Sequence, residues 1–434
     1  MTTWRTYLCY GLAALGTGAG LWAQTPPASF RVEPLKPVVA KGEKASWRVF
    51  PEGAVSQPVL TYLIRQDGGP KKIAEGQVAW QGGEGRIETV ATEPGALLVE
   101  VKGAGEKILG GVAVSPDGIS VSMPPPEDFD AFWQQGKEEL AKIPLGVQEE
   151  KAATDKPGVE YLKFVLNNIG GAKVYGHRAR PERGENKLPA LVIFQWAGVY
   201  GLPKGNVTGP AANGWLALNI MALDLPLDRD SAFYEQLKQG ELKDYVAVGQ
   251  ENQATSTFRR MYLGCVRVID YLATLPEWDG RTLVVMGQSQ GGLQALVAAA
   301  LDSRVTAVLA GKPAGCDTMA KNAGRGFGWP YWQGRADKMD PAQAIRVMET
   351  SRYFDGAHFA ARVKVPTLVG LGLVDTTCPP TAVYSAIHGL QGPKETVIFP
   401  TSGHPDGGEI STLWNPRKDA WLLNLRKGLA VPIR

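Results

Sequence analysis

Cysteine, histidine and excess charge are all scarce in this sequence. Of its 434 residues, four are cysteine and four are histidine, and 46 Lys+Arg stand against 43 Asp+Glu, a formal net charge of +3. So few cysteines exclude a disulfide-rich scaffold. A near-neutral balance without a dense Lys/Arg run predicts no nucleic-acid partner. The 44% hydrophobic and 21% charged residues exclude general disorder and are typical of a globular chain of two or three domains.

Long hydrophobic runs are also missing, and the most apolar stretch is the beginning of the chain. Residues 1–23 (MTTWRTYLCYGLAALGTGAGLWA) place Arg5 before an apolar stretch that extends from Leu8 to Leu21. This pattern predicts a signal peptide over 1–23 that is cleaved on export. A membrane anchor is the alternative, but the stretch is shorter than the roughly 20 residues that a span requires. We therefore expect a secreted or periplasmic protein with no membrane attachment after cleavage.

The region from 28 to 118 contains short β-type runs separated by Gly, Pro or Asp clusters. Examples are Ala45–Phe50 and Ala96–Val101. Short strands at such spacing predict a small β-sandwich of immunoglobulin-like type. Trp47 or Trp80 could contact carbohydrate, but a role in the hydrophobic core is the stronger interpretation. A proline-rich linker is predicted to follow over residues 119–126.

Strands and helices alternate from residue 127 to residue 434. The segment Glu127–Ile143 has apolar residues at helical spacing, and Phe258–Leu275 and Gly292–Leu301 are further helical segments. Apolar runs of strand length lie at Ala190–Phe194, Ala217–Met221, Leu283–Met286, Ala307–Ala310, Thr367–Gly372 and Thr396–Phe399. Continuous apolar runs fit strands that are buried on both faces. The pattern predicts an α/β domain with a doubly wound, mostly parallel sheet.

A Gly-x-Ser-x-Gly motif, Gly287-Gln288-Ser289-Gln290-Gly291, follows one of these apolar strands and precedes a helix. In that position it predicts a nucleophile elbow with Ser289 at a strained turn. The motif alone is also compatible with a tight structural turn. The helix N-terminus would supply positive potential and a backbone N–H, that of Gln290, where an oxyanion forms.

A serine nucleophile needs a base and an acid, and in this fold they follow it in the order Asp or Glu, then His. His404 and Asp375 each come just after a late apolar run, so both are expected at the sheet edge that carries Ser289. Asp406 and Asp355 are weaker acidic candidates. The other histidines, His177, His358 and His388, suit surface or core roles.

Further site residues are predicted from the loops around this edge. The loop from Phe194 to Gly201 is expected to give the second oxyanion donor, the N–H of Ala197. Residues 313–351 form an insertion long enough to act as a lid. Trp196 in the loop and Trp329 and Trp332 in the insertion are candidate sugar contacts, although the insertion's aromatics could equally pack it onto the domain. Cys316 and Cys378 could form a disulfide, but buried free thiols are the expectation.

Several of these motifs together resemble one enzyme family. The elbow Gly-Gln-Ser-Gln-Gly-Gly, the helix around Phe129–Trp133 and the run Asp-Thr-Thr-Cys-Pro-Pro from Asp375 are similar to those of acetyl xylan esterases and cephalosporin C deacetylases, which are α/β-hydrolases. The resemblance extends from about Pro126 to the C-terminus. It implies removal of acetyl groups from sugar hydroxyls without a metal or other cofactor. It also assigns Ser289 as nucleophile, Asp375 as orienting carboxylate and His404 as base.

Three positions depart from the family pattern. Met221–Pro226 stands where an Arg-Gly-Gln motif is frequent, Ala197 stands where a tyrosine is common, and Pro405 follows the histidine where Glu is usual. These departures concern the substrate and the quaternary contacts that the family implies, so a homo-oligomer is left open.

The expected function is that of a secreted serine carboxylesterase that deacetylates xylan or xylo-oligosaccharides through an acyl-enzyme. A prolyl-type peptidase is an alternative, but the leading β-region is too short for a propeller. A glucuronoyl methylesterase would be expected to carry a basic residue where this elbow has Gln290. A non-catalytic carbohydrate-binding protein is the remaining alternative, against which the complete Ser, Asp and His set argues.

Overall fold

The computed structural model describes residues 30–52, 59–103, 106–183, 187–405 and 408–434. The predicted signal peptide lies outside these residues. In the described part of the chain, no helix has the length and apolar character that crossing a membrane requires.

The N-terminal part forms two β-sheets that pack face to face. One has the strand order β1-β3-β7-β6, and the other has the order β2-β9-β8-β4-β5. Inward-facing residues such as Trp47, Ile87 and Val99 form one shared core between the two sheets. Trp47 therefore has the core position that the sequence favoured over a carbohydrate contact. The immunoglobulin-like type stays a prediction. The strands are β1 (Phe30–Pro34), β2 (Val38–Val39), β3 (Lys44–Pro51), β4 (Thr61–Gln66), β5 (Lys72–Gln77), β6 (Ala79–Gln81), β7 (Glu84–Val90), β8 (Gly95–Gly103) and β9 (Glu106–Val114).

The larger part of the chain is built on a sheet with the strand order β10-β11-β12-β14-β13-β15-β16-β17-β18. Pairing is parallel from β14 through β13 to β18 and antiparallel among β10, β11, β12 and β14. The sheet is therefore mostly parallel, as predicted. Its strands are β10 (Gln148–Lys151), β11 (Val159–Asn167), β12 (Lys173–Pro181), β13 (Leu188–Phe194), β14 (Leu216–Ile220), β15 (Trp278–Gln288), β16 (Ala307–Gly311), β17 (Thr367–Gly372) and β18 (Lys394–Phe399).

Helices cover both faces of this sheet. Because side chains alternate along a strand, neighbouring residues of β15 point to opposite faces. Val285 packs in a core with α4, α5 and α9, whereas Val284 packs in a core with α2 and α10. The described helices are α1 (Phe129–Ala141), α2 (Gly205–Ala212), α3 (Ser231–Gln239), α4 (Thr257–Thr274), α5 (Gln290–Leu301), α6 (Trp332–Ala336), α7 (Pro341–Arg352), α8 (Gly356–Ala360), α9 (Pro380–Gly389) and α10 (Asn415–Arg426).

This topology brings the ends of three parallel strands together. β15, β17 and β18 lie in a row with β16 between the first two, and the predicted site residues follow each of them. Carboxyl ends of parallel strands meet at one edge, where α/β proteins bind ligands. That edge is where the candidate site lies.

Candidate active site

Ser289 occupies a sharp turn between β15 and α5. Its backbone has φ 54° and ψ −121°, a left-handed conformation that a non-glycine residue rarely adopts. The flanking glycines allow the turn to pack against neighbouring backbone, where a side chain would clash. A Cβ at Gly287 would lie 2.4 Å from the backbone of Gly291, and one at Gly291 would lie 2.4 Å from the carbonyl oxygen of Phe194. The turn therefore presents the serine at the edge of the sheet while its backbone is held tightly.

Ser289, His404 and Asp375 lie in one hydrogen-bonded series. Nε2 of His404 is 3.0 Å from Oγ of Ser289, and Nδ1 of His404 is 2.9 Å from Oδ2 of Asp375. With Nδ1–H donating to the carboxylate, Nε2 is free to accept the proton of the serine hydroxyl. The structure thus brings together the three residues that the sequence indicated as nucleophile, base and orienting acid.

The carboxylate of Asp375 is itself fixed by the loop that carries it. Its Oδ1 accepts hydrogen bonds from the backbone N–H groups of Thr377 and Cys378, both at 2.8 Å. The side chain is buried, so its remaining oxygen is directed at His404. Such charge-assisted hydrogen bonds hold the carboxylate in a fixed orientation.

Lys312, the residue that follows β16, holds the loop that carries His404 by hydrogen bonds to its backbone. Its Nζ donates to the carbonyl oxygens of Gly403, at 2.7 Å, and His404, at 3.4 Å. Lys312 is buried and its ammonium lies 5.1 Å from the ring centroid of Phe399. This contact limits how far the histidine can move from the serine.

The predicted oxyanion donors lie on two segments that are connected by side chains. Gln290 begins α5, where the first backbone N–H groups have no partner inside the helix. Its side-chain Oε1 accepts a hydrogen bond from the hydroxyl of Tyr245 at 2.8 Å, and the phenol oxygen also interacts with the backbone N–H of Gly198. Ala197 directly precedes Gly198 in this loop, and its N–H stays our proposal for the second donor. Burial raises the pKa of Tyr245, so its hydroxyl keeps its proton.

Three of the remaining candidate acids and bases are buried side chains in structural positions. Asp355 is buried, caps α8 and accepts from the N–H groups of Asp317 and Thr318; burial raises its pKa to about 6. His177 is buried between Tyr161 and Asn219, and burial lowers its pKa to about 4. His358 is buried against Phe129. His388 is exposed on α9, and Asp406 lies outside the described residues.

The three candidate sugar contacts have different surroundings. Trp196 is 51% exposed and stacks on Tyr200 with ring centroids 5.5 Å apart. Trp329 is half-buried against Phe258. Trp332 is only 3% exposed, and its indole N–H donates to the carbonyl of Val246. Because a buried indole with a satisfied N–H packs the insertion onto the domain, the predicted sugar contact at Trp332 does not fit this placement.

The cysteines of the described residues are all free and buried, namely Cys265, Cys316 and Cys378. This matches the expected free thiols rather than a Cys316–Cys378 disulfide. The Cys378 thiol lies beside Ser289, and burial raises its pKa well above the ordinary value. Asp375, Cys378 and His404 each offer a ligand atom within 4.8 Å of the others. The aspartate and histidine atoms are hydrogen-bonded to each other, however, so we assign the cluster to the triad rather than to a metal.

Tyr245 and Lys312 were not indicated by sequence reasoning. Tyr245 lies in a short 3-10 turn between α3 and α4, a segment without periodicity or motif. Lys312 comes two residues after the predicted strand Ala307–Ala310, at the sheet edge where α/β proteins bind ligands, and a polar residue in that position can be recognised from the sequence.

The sheet, the serine elbow and the Ser–His–Asp arrangement define an α/β-hydrolase. The chain belongs to the acetyl xylan esterase (AXE1) family, whose model matches residues 120–422. This confirms the predicted family. The β-sandwich lies outside the matched region.

Individual relatives agree with this assignment. The acetyl esterase Axe7A of Xylanibacter ruminicola is 31% identical over 299 residues, which are 68% of this chain and 66% of that protein. The chain thus spans slightly less than two thirds of this relative. The acetyl xylan esterase from Paenibacillus sp. R4 superposes with a TM-score of 0.60 at 28% identity, over 73% of this chain and 98% of that one. Acetyl xylan esterase 1 from Thermoanaerobacterium sp. JW/SL YS485 shares the fold at 22% identity, with a TM-score of 0.58 over 68% of this chain and 95% of that one.

Proposed function

We propose that this protein is a serine carboxylesterase that removes acetyl groups from acetylated xylan or xylo-oligosaccharides through an acetyl-enzyme intermediate. The observation that carries the proposal is the hydrogen-bonded series Ser289–His404–Asp375, in a chain of the acetyl xylan esterase family. The proposal includes export directed by residues 1–23, so that the mature enzyme meets its polymeric substrate outside the cytoplasm.

In the acylation step, Nε2 of His404 accepts the proton of Ser289 as its Oγ attacks the acetyl carbonyl carbon. The negative charge that develops on the carbonyl oxygen is stabilised by the N–H groups of Gln290 and Ala197. Asp375 stabilises the imidazolium that forms. The tetrahedral intermediate then breaks its bond to the sugar oxygen, which takes the proton from His404 and leaves as the alcohol.

Deacylation repeats these steps with water as the nucleophile. His404 accepts a proton from the water as its oxygen attacks the acetyl-serine carbonyl, and the same N–H groups stabilise the second oxyanion. Collapse returns the proton from His404 to Ser289 and releases acetic acid, which gives up its own proton to solvent as acetate. Each cycle therefore consumes one water and one ester bond, and the residues that move protons end in their starting state.

Binding of the sugar is proposed to use the exposed face of Trp196. A cavity of about 650 Å³ lies beside it, between the oxyanion loop and α3, and is lined by polar side chains such as Arg229, Glu235 and Lys238. An aromatic face with polar groups at its margin suits a pyranose ring, which presents apolar C–H faces and equatorial hydroxyls. A neutral substrate is also consistent with the formal net charge of +3.

The proposal is tested by measuring acetate released from acetylated xylan, acetylated xylo-oligosaccharides and cephalosporin C, with Ser289→Ala and Ser303→Ala compared in parallel. Ser303 is exposed in the turn after α5, so its variant is the matched control. We expect acetate from the xylan substrates, loss of activity in Ser289→Ala and full activity in Ser303→Ala. p-Nitrophenyl acetate hydrolysis by Ser289→Ala at the wild-type rate, or a wild-type enzyme inert on acetylated sugars, would contradict it.

A further inference from the structure

The β-sandwich contacts the loop that carries Asp375 directly. Gly111 of β9 lies against the backbone of Leu373, two residues before the aspartate, and a Cβ at position 111 would be 2.2 Å from the carbonyl oxygen of Leu373. Only hydrogen separates these two backbones, so there is no side chain at Gly111 that could move to relieve a displacement. The position of Leu373 is therefore set in part by the β-sandwich.

A second contact joins the β-sandwich to the insertion at 313–351. The turn after β4 presents Asp67 and Gly69 to the segment Gly324–Gly326. The N–H of Gly326 donates to the carbonyl oxygen of Asp67 at 2.9 Å, and a Cβ at Gly69 would lie 2.0 Å from the carbonyl oxygen of Gly324. This is again a contact of backbone against backbone.

The insertion in turn contacts the segment that follows Asp375. The N–H of Trp329 donates to the carbonyl oxygen of Thr377 at 2.8 Å, and a Cβ at Gly328 would lie 2.3 Å from the same oxygen. The N–H of Thr377 in turn donates to Oδ1 of Asp375. Two independent routes from the β-sandwich therefore reach Leu373 and Thr377, which lie two residues before and two residues after the catalytic carboxylate.

The linker between the two parts is also tied to the insertion. Ser122 donates through its N–H and its hydroxyl to the two carboxylate oxygens of Asp317, at 2.7 and 2.8 Å. Arg325 donates to Asp317 and to the carbonyl oxygen of Ser120. A linker held this way does not act as a free tether, which distinguishes the arrangement from a binding module on a flexible connection.

We propose that the β-sandwich is a positioning element of the active site, which holds the Asp375 loop through Gly111 and Gly69 so that the carboxylate stays aligned with His404. The inference rests on the proposed function only in that Ser289, His404 and Asp375 perform the ester hydrolysis. It assigns the β-sandwich a part in turnover itself, on small esters as well as on polymers.

The test compares Gly111→Ala and Gly69→Ala with Gly110→Ala in the full chain. At Gly110 a Cβ would point to Val32, Trp47 and Val99 inside the sandwich, so this variant strains the same strand without touching the Asp375 loop. For p-nitrophenyl acetate we expect the two interface variants to lose about tenfold in kcat, with little change in KM, because small misplacements of catalytic groups are costly. The acid limb of their kcat/KM profile against pH should shift to lower pH, since a displaced carboxylate stabilises the protonated imidazole less.

Gly110→Ala is expected to lower the unfolding temperature while keeping the wild-type kcat and pH profile, measured well below unfolding. Wild-type kcat in both interface variants would overturn the proposal, as would an equal loss in Gly110→Ala or an effect confined to polymeric substrate. If Gly111→Ala does not fold, Gly69→Ala decides, because Gly69 lies in a turn rather than in a strand of the β-sandwich. Because the readout is Ser289-dependent hydrolysis of a small ester, the result stands even if the natural substrate is not an acetylated sugar.

Discussion

The hydroxyl of Tyr245 donates a hydrogen bond to Oε1 of Gln290 at 2.8 Å, and its oxygen also interacts with the backbone N–H of Gly198. One phenol thus connects the residue that follows the nucleophile to the loop on the opposite side of the oxyanion site. The loop is further held by Gln195, whose Oε1 accepts from the N–H of Ala222 and whose Nε2 donates to the carbonyl of Tyr200. The two segments that carry the proposed oxyanion donors are therefore connected by buried side chains, in addition to the start of α5 that carries Gln290.

Tyr245→Phe removes the hydroxyl and its hydrogen bond to Gln290 while keeping the ring. We expect kcat for p-nitrophenyl acetate to fall about tenfold and stability to fall by about 1–3 kcal/mol, the usual cost of leaving a buried polar group without its partner. Tyr384→Phe is the matched control, because the buried Tyr384 hydroxyl has no hydrogen-bond partner among the described residues. Equal kinetics in the two variants would show that Tyr245 does not position the oxyanion site.

Gly291→Ala tests the tight packing of the elbow. Its methyl group would meet the carbonyl oxygen of Phe194 at 2.4 Å, so either α5 or the end of β13 must shift. Overpacking of this kind costs about 1–3 kcal/mol, and we also expect kcat to fall at least tenfold. Gly209→Ala in α2 is the control, since a Cβ there has no atom within 4 Å. Thermal unfolding and steady-state kinetics should separate the two; a fully active Gly291→Ala would mean the elbow is not tightly constrained.

Acid sensitivity is predicted from His358. Burial lowers its pKa to about 3, and neither ring nitrogen has a hydrogen-bond partner among the described residues. The unfolded chain binds this proton near pH 6.5 and the folded protein does not, so the free energy of unfolding decreases as the pH falls below about 6.5. The slope for one group is at most about 1.4 kcal/mol per pH unit.

His358→Phe should therefore flatten the dependence of unfolding free energy on pH between about 6.5 and 4. Some slope remains, because burial also lowers the pKa of His177 to about 4. Urea unfolding at several pH values measures the effect, and the exposed His388, changed to Gln, serves as the control. An unchanged slope in His358→Phe would show that this histidine is not the source.

Trp196→Ala tests the proposed sugar contact. Loss of stacking should raise KM for acetylated xylo-oligosaccharides severalfold, since an aromatic contact contributes about 0.5–1.5 kcal/mol beyond its buried area. KM for p-nitrophenyl acetate, which has no sugar ring, should change little and is the internal control. An equal change for both substrates would point to a disturbed oxyanion loop, because Trp196 precedes Ala197.

The parallel part of the sheet could be predicted because its strands are buried on both faces and therefore appear as apolar runs. Ala307–Ala310 and Thr367–Gly372 were predicted as strands, and the structure has them at Ala307–Gly311 and Thr367–Gly372. The helix predicted at Phe258–Leu275 is Thr257–Thr274. The positions of the candidate triad residues along the chain followed from the same pattern, because each of them comes just after one of these apolar runs.

The edge strand β10 of the large sheet was not predicted, for a physical reason. β10 is Gln148–Lys151, all exposed, and its sequence QEEK has no apolar side chain that would indicate a sheet. Charge on an edge strand discourages pairing with other chains but also removes the sequence signal. The placement of Trp332 was not evident either. From the sequence alone, an isolated aromatic residue that packs an insertion onto the domain cannot be distinguished from one that lines a pocket.

The buried thiols have a practical consequence. Cys265, Cys316 and Cys378 are free, and burial raises the pKa of each. A thiol reagent such as dithiobisnitrobenzoate reacts with thiolate, so these groups stay unlabelled until the surrounding structure opens. Cys265 lies in α4 and Cys378 lies beside the nucleophile. Their labelling rates, measured separately, would therefore report global opening of the domain and local opening of the catalytic edge.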